Sequence, residues 1–257
     1  VQIISEFALP VLSFNNQLVF NIICGLIIAV LAGTVIIGGL TRIAKASSWL
    51  VPIMGGLYVF TATFILIANF EAVPNVIKII FSDAFTGTSV AGGTLMGVIM
   101  YGIQRGAFSN EAGIGTEALI HGTAKTNSPI KQGFVAMIGP IFDTLLICTA
   151  TAVVIILSGL WVDDEYSGVS LTAMAFQAFL GNTGIAVVFL CVVFFGISTI
   201  FTYSYYGSVC ARFLFGPKGQ RIYLYIFIAT IIFFASISLD SATVSYTHLT
   251  LPTTNSV

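Results

Sequence analysis

The chain has 257 residues, of which 57% are hydrophobic and 7% are charged, whereas an ordinary soluble domain is about 25% charged. This composition excludes a soluble fold. Ten acidic and nine basic residues give a formal charge of −1, so the chain lacks the basic surface that nucleic-acid binding requires. Its uncharged stretches reach the length of roughly 20 residues that a helix needs to cross a bilayer. We therefore predict an all-α polytopic membrane protein, embedded in lipid and without a nucleic-acid partner.

Apolar runs separated by charged breaks predict six membrane spans. They cover residues 18–40, 49–70, 92–115, 134–157, 184–206 and 222–239, and the third is broken. Between the second and third spans, residues 72–85 are too few and too polar to cross, so we predict an interfacial helix there. The four cysteines lie singly within or at the end of apolar stretches, which favours a packing role over a disulfide or a metal site.

The basic residues indicate the orientation, because Lys and Arg accumulate on the cytoplasmic side of membrane proteins. Seven of the eight basic residues outside the spans follow the first, third or fifth span: Arg42, Lys45, Lys125, Lys131, Arg212, Lys218 and Arg221. The opposite side carries Lys78 and the acidic residues 163–165. We assign the first of these sides to the cytoplasm.

Both ends of the chain have unusual features. The sequence starts at Val1 without an initiator Met or a signal peptide, so we expect it to begin inside a longer protein. After Asp240 it becomes rich in Ser and Thr, and residues 244–253 resemble a translated sequencing adapter. We expect residues 1–242 to be a fragment of one transmembrane domain and residues 243–257 to be a non-native tail. The alternative is a genuine polar tail.

The third span contains the most informative polar cluster. Ser109, Asn110 and Glu111 lie at membrane depth, where charged groups are costly and normally face a protein interior or a water-filled cavity. Glycines such as Gly113 weaken a helix and permit unusual backbone conformations. We predict a helix broken at 109–113 that offers backbone groups to a ligand, as in secondary transporters. A re-entrant loop or glycine-mediated helix packing is the alternative.

Two further spans contain polar groups that could bind a cation. In the fifth span, Ser198 and Thr199 are adjacent hydroxyl residues, and Thr199, Thr202, Tyr203 and Tyr206 fall on one side of the helix as a polar stripe. Neighbouring hydroxyls beside backbone carbonyls supply the oxygen ligands that suit sodium. Alternatively, these groups bond to their own helix or form an interfacial belt. Asp143, in the fourth span, is a candidate cation ligand or proton acceptor, or the partner of Arg105.

Enzyme motifs are not found in the sequence. There is no Gly-x-Ser-x-Gly elbow, phosphate-binding Lys loop or paired-His metal motif, so neither a membrane hydrolase nor a pump ATPase is supported. We expect a protein that is not an enzyme.

Four stretches of the sequence resemble the alanine or glycine:cation symporter family. They are VIIGGLTRIAK from Val35, RGAFSNEAGIGTEALIHGTAKT from Arg105, IKQGFVAMIGPIFDTLLICTATAVVI from Ile130 and STIFTYSYYG from Ser198. They occur in the family's order and spacing, and the resemblance covers nearly all of residues 18–240. The NEAG block is highly specific to the family.

The resemblance implies the leucine-transporter-type inverted-repeat fold, of which the six spans match the fourth to ninth helices. It implies that the broken helix, including Ser109, Asn110, Glu111 and Gly113, contacts the substrate. It also implies that Thr199 and Tyr203 face the substrate, and that Ser198 and Thr199 bind sodium, beside the candidate Asp143. Gln2 is a weaker match to a substrate-facing Gln, because its neighbours depart from the family pattern.

The function implied by the resemblance is secondary active import of a small neutral amino acid, alanine or glycine, together with sodium. The protein would need no cofactor, because Na⁺ is co-transported, and it would lie in the plasma (inner) membrane of a prokaryote. Two alternatives are proton-coupled transport through Glu111, Glu117 or Asp143, and a membrane amino-acid sensor that does not transport.

Overall fold

The computed structural model describes residues 17–85, 102–103, 106, 111, 115–162, 166 and 168–235. All regular secondary structure within these ranges is helical. The α-helices are α1 (Gln17–Ile36), α2 (Leu40–Ala68), α3 (Val73–Phe85), α4 (Glu117–His121), α5 (Pro129–Phe142), α6 (Thr149–Ser158), α7 (Gly168–Leu180) and α8 (Asn182–Ala235). A π-helical segment, Asp143–Cys148, joins α5 to α6, and a 3₁₀ turn, Leu160–Val162, follows α6.

Helices of membrane-spanning length account for much of the described chain. Four helical stretches are long and apolar enough to cross a bilayer: Leu18–Ile36, Leu40–Ala68, Pro129–Ser158 and Asn182–Ala235. Many of their large apolar side chains are exposed, as expected for surfaces that contact lipid rather than water. Within the ranges that the structure describes, the protein is therefore a helical, multi-pass membrane protein. The inverted-repeat arrangement stays a prediction.

The stretch from Asn182 to Ala235 contains two helical segments. It has 54 residues, and at 1.5 Å per residue it would measure about 80 Å if it were straight. Gly216 has φ 72° and ψ −170°, which is not helical, and Pro217 follows it. Residues 182–215 and 217–235 thus form separate segments. The first contains the fifth predicted span, 184–206, and the second contains residues 222–235 of the sixth. Residues 236–239 lie outside the described part of the chain.

The first turn of the structure lies between α1 and α2. The helix α1 ends at Ile36, and Gly39 adopts φ 76°, a left-handed conformation that glycine adopts without a steric penalty. The next helix starts at Leu40. Arg42 and Lys45, expected in a loop, therefore lie in the first two turns of α2, still between the two spans.

The chain divides into two compact units. The first unit consists of Val1–Val51 and Val193–Val257, and the second unit consists of Pro52–Val192. In the first unit, α1 runs antiparallel to the segment 217–235. Gly25 lies so close to this segment that an added Cβ would be 2.5 Å from the Cβ of Ala235, and at Gly33 it would be 3.5 Å from Ile228. Small residues permit such close approach of helices in a membrane, where dispersion contacts replace the hydrophobic effect.

The core of the first unit joins three helices. Ala32 and Ile36 of α1, Ile43 of α2 and Phe201 of α8 form one buried cluster. Leu224 and neighbouring apolar residues pack around this cluster. The packing holds the part of α8 that carries the predicted hydroxyl stripe.

The second unit is organised around α6. The helix α3 and the helix α7 both pack against α6, and Phe176 of α7 and Val154 of α6 are fully buried. The sequence did not predict α7. Its 13 residues are too few for a membrane span, and no charged residue separates them from the apolar residues that follow. The helix α3 covers the position of the predicted interfacial helix; its 13 residues measure about 20 Å, shorter than the hydrocarbon layer.

Candidate functional site

The predicted broken helix is described at a few positions only. Ser109, Asn110, Gly113 and the more distant Gln2 lie outside the described residues. The substrate contacts that the sequence assigns to these four residues stay predictions.

Glu111 has an unusual backbone conformation. Its φ is 58°, the only positive φ of a non-glycine residue in the described part of the chain. A side chain in this left-handed region crowds the following carbonyl group and costs roughly 1–2 kcal/mol. Residues with such strain cluster at ligand sites and switches. Because a right-handed helix cannot pass through this conformation, the backbone at Glu111 is not α-helical.

Local hydrogen bonds hold Glu111 in place. The Thr116 hydroxyl donates to Oε2 of Glu111 over 3.0 Å. The backbone N–H of Gly115, itself at φ 78°, donates to the Glu111 carbonyl over 3.2 Å. The Glu111 carboxylate is thereby held close to the N-terminal end of α4.

The hydroxyl stripe on α8 lies in the first unit. Ser198 is buried and donates its hydroxyl proton to the Phe195 carbonyl over 2.8 Å. The Thr202 hydroxyl donates in turn to the Ser198 carbonyl over 3.0 Å. These bonds to the helix's own carbonyls match the alternative that the sequence left open. They leave the lone pairs of the Ser198 hydroxyl oxygen available to a cation.

Thr199 differs from the hydroxyl residues around it. Within the described chain its hydroxyl donates to no helix carbonyl, whereas Ser198, Thr202 and Ser204 each donate to a carbonyl three or four residues earlier. Tyr203, one turn after Thr199, is 40% exposed. A hydroxyl free of the helix, one turn from an accessible aromatic ring, is available to a bound ligand.

The tyrosine side chains beside the stripe pack against one another. Tyr203 meets Tyr206 edge to face with ring centroids 5.7 Å apart, and Tyr205 lies 6.4 Å from Tyr206. Edge-to-face packing restrains the rings. Tyr203 is thus oriented by a neighbour while its exposed side stays accessible.

Asp143 begins the π-helical segment in the second unit. The segment Asp143–Cys148 interrupts the regular α-helix, and the Thr149 hydroxyl donates to the Thr144 carbonyl over 3.2 Å. π-Segments inside helices occur frequently at functional sites because they change the direction of side chains and carbonyls. Arg105, its predicted pairing partner, lies outside the described residues.

The predicted site residues fall into both units of the chain. Ser198, Thr199 and Tyr203 belong to the first unit, and Glu111 and Asp143 belong to the second. Each unit is described by itself, so the complete substrate and sodium sites stay predictions. No group of three or more His, Cys, Asp or Glu side chains that could hold a metal is found among the described residues.

The structure also shows a polar link that the sequence did not indicate. Tyr58 Oη of α2 lies 2.5 Å from Thr151 Oγ1 of α6, and the Tyr58 ring packs against Phe176 with centroids 5.4 Å apart. Single Tyr and Thr residues within apolar runs carry no signal that would pair them across 93 positions. The link joins α2, α6 and α7 of the second unit.

A second network lies after the predicted third span. His121 Nε2 is 3.4 Å from Glu117 Oε1, and His121 Nδ1 is 2.7 Å from Gln132 Nε2. Gln132 donates to Nδ1, which fits the imidazole tautomer with its proton on Nε2, facing the carboxylate. The network joins α4 to α5 and fixes the loop between them.

The apolar helices of membrane-spanning length define the class as a polytopic membrane protein. The model of the sodium:alanine symporter family matches residues 5–247 of the chain. The chain belongs to this family, which consists of transporters rather than enzymes. The resemblance seen in the sequence is thereby confirmed.

Relatives come from several prokaryotes. The chain is 39% identical over 226 residues to an uncharacterized transporter, YflA, of Bacillus subtilis, covering 86% of the chain and 47% of the relative. It is 36% identical over 228 residues to the sodium/alanine symporter AgcS of Methanococcus maripaludis, covering 88% and 50%. It is 33% identical over 217 residues to the sodium/proton-dependent alanine carrier protein of Bacillus sp. PS3, covering 79% and 49%. The chain spans about half the length of the curated relatives it matches.

Proposed function

We propose that the complete transporter carrying this sequence imports a small neutral amino acid, alanine or glycine, together with sodium. The family supports amino-acid and cation symport in general, and relatives named for alanine support the substrate class. The transporter uses no cofactor, because Na⁺ is cargo. It operates in the plasma (inner) membrane of a prokaryote.

The observation that carries this proposal is the Thr199 hydroxyl. It is not bonded to its own helix within the described chain, and it lies one turn from the 40% exposed ring of Tyr203. Ser198, its neighbour, keeps lone pairs for a cation after donating to Phe195. Hydroxyl and carbonyl oxygens are the ligands that hard cations prefer.

The other residues of the proposed site complete this picture. Asp143 supplies a carboxylate to sodium. Glu111, with Ser109, Asn110 and Gly113, lines the substrate site, and Gln2 contacts the substrate from the start of the chain. Broken helices near the bilayer midplane bind the carboxylate of an amino acid with N–H groups and a cation with carbonyl groups.

Proton coupling is the second candidate, favoured by the relative named as a sodium/proton-dependent carrier. Glu111 and Asp143 are the described carboxylates that could carry the proton. Glu117 is the less suitable candidate, because its carboxylate contacts His121 outside the predicted spans.

Uptake by proteoliposomes separates the two candidates. Radiolabelled alanine and glycine are offered to the complete transporter with an inward sodium gradient, with choline in place of sodium, and with a pH gradient alone. We expect accumulation above equilibrium only when sodium is present. Accumulation driven by the pH gradient in choline would favour proton coupling, and failure to accumulate either amino acid would refute the proposed substrate class.

A further inference from the structure

We propose that residues 212–221, here called the basic turn, bind anionic phospholipid headgroups of the cytoplasmic leaflet. In this arrangement Phe213, Leu214 and Phe215 insert into the lipid interface, and Arg212, Lys218 and Arg221 contact the phosphates.

The charge of the first unit supports an anionic partner. Its described residues, 17–51 and 193–235, contain no Asp or Glu and five basic residues: Arg42, Lys45, Arg212, Lys218 and Arg221. Arg212, Lys218 and Arg221 are exposed. The described chain shows no ion pair at these three residues, so their charge has no partner within this part of the protein.

Helix packing places the basic residues at one end of the first unit. Because α1 runs antiparallel to 217–235, the end of α1 lies near the start of that segment, and Ile36 belongs to the cluster that Leu224 contacts. Arg42 follows the end of α1 and donates from Nη1 to the Thr34 carbonyl over 3.4 Å. The first two turns of α2, with Arg42 and Lys45, and the basic turn thus lie at the same end of the first unit, on the side assigned to the cytoplasm.

The length of α8 places the basic turn at headgroup depth. The segment from residue 182 to Gly216 is about 50 Å long at 1.5 Å per residue, whereas the hydrocarbon layer is about 30 Å thick. The predicted fifth span ends at residue 206, so the last turns of the segment extend beyond the hydrocarbon. The change of backbone direction at Gly216 then keeps the basic turn at this level.

Three neighbouring apolar side chains lie at this end of the segment. Phe213, Leu214 and Phe215 are 89%, 68% and 73% exposed. Successive helix residues point about 100° apart, so the three side chains cover most of the helix circumference and one neighbouring helix cannot bury them all. A lipid interface surrounds the helix and accepts all three.

Lys and Arg together with exposed Phe and Leu are typical of segments that lie in the membrane interface. The cytoplasmic leaflet attracts juxtamembrane Lys and Arg, and each contact increases binding by about fivefold. Arg212 precedes the apolar cluster, and Lys218 and Arg221 follow it within a few residues. The apolar side chains set the depth and the cations select the headgroup.

Fluorescence quenching by brominated lipids tests the proposal. The complete transporter is placed in nanodiscs in a background whose native tryptophans are replaced by Phe, with F213W as the reporter. One nanodisc preparation contains brominated phosphatidylglycerol and unbrominated phosphatidylcholine. The other contains unbrominated phosphatidylglycerol and brominated phosphatidylcholine, at the same mole fractions of the two lipids. We expect several-fold stronger quenching by the anionic lipid, and loss of this preference at high salt.

Two further variants complete the experiment. Replacing Arg212, Lys218 and Arg221 by Gln in the F213W background should abolish the anionic preference while quenching by phosphatidylcholine persists. The matched control is F60W, because Phe60 is 72% exposed on α2 within a predicted span; it should be quenched equally by both lipids. Equal quenching at position 213, no quenching there by either lipid, or a preference that survives the Gln substitutions would overturn the proposal.

Discussion

Tyr58 donates a hydrogen bond to Thr151 across two helices of the second unit, with the two oxygens 2.5 Å apart. Thr151 donates its own hydroxyl proton to the Ile147 carbonyl over 2.7 Å. A threonine hydroxyl has one proton, so the proton between the two side chains belongs to Tyr58. The bond connects α2 to the first turn of α6, directly after the π-helical segment that Asp143 begins.

Removing this bond should destabilise the transporter modestly. Y58F keeps the ring packed against Phe176 and removes the donor, and we expect a loss of about 0.6 kcal/mol, the average for interhelical hydrogen bonds in membranes. Unfolding of the variants in bicelles measures the loss. Because T151V removes the same bond, the double variant should be less destabilised than the sum of the two. Additive effects of Y58F and T151V would contradict the bond. The control is T149V, because the Thr149 hydroxyl bonds to the Thr144 carbonyl within the same helical run.

The contact at Gly25 should not tolerate a methyl group. In G25A the new Cβ would lie 2.5 Å from the Cβ of Ala235, so α1 and the segment 217–235 would have to separate. Overpacking of this kind costs about 1–3 kcal/mol, which thermal unfolding in detergent would detect. G196A is the matched control in the same unit, because a Cβ at Gly196 meets nothing within 4 Å. Equal stability of the two variants would show that α1 does not pack as described.

Thr199 and Thr202 should differ in their effect on transport. T199V keeps the shape of the side chain and removes the hydroxyl proposed to contact ligand, so we expect the sodium concentration for half-maximal uptake to rise by about tenfold, the equivalent of one hydrogen bond to a charged group. T202V removes a hydroxyl that is already donated to the Ser198 carbonyl. Its uptake should stay close to that of the unmodified transporter. The same sodium dependence in both variants would remove Thr199 from the site.

The strain at Glu111 predicts an unusual preference for glycine. At φ 58° a glycine avoids the steric cost of a Cβ, so E111G should be more stable than E111A by about 1 kcal/mol. Thr116 is the control position, because its φ of −69° is right-handed. At this position T116A should be more stable than T116G. Thermal unfolding of the four variants checks both orders, and greater stability of E111A over E111G would contradict the left-handed conformation.

Some features of the fold followed from local sequence properties. The bilayer requires about 20 apolar residues per crossing, so the apolar runs around Leu18 and Phe134 could be recognised without knowledge of their neighbours. The family could be recognised from the block at Asn110, and the hydroxyls of Ser198 and Thr199 could be seen in the sequence. Whether each hydroxyl bonds to its own helix depends on rotamers, which spacing does not determine.

Other features were outside the reach of the sequence. The helix α7 is too short to resemble a span, and its buried Phe176 gives no signal distinct from lipid-facing apolar residues. Pairing of Tyr58 with Thr151 depends on how α2 and α6 are placed. Pro140 does not predict that a π-helical segment starts at Asp143. These features depend on contacts between distant parts of the chain.

The sequence by itself determined that this protein lies in a membrane, which side of the spans carries the positive charge, and the family to which the chain belongs. The bilayer acts as a solvent on each span separately, so local composition and short motifs are enough to determine these properties. Only the tertiary structure decided which glycine meets Ala235, which hydroxyl on α8 stays free of its helix, and that Glu111 is left-handed. Each of these depends on packing between helices or on the backbone of one residue, and hydropathy carries no information about either.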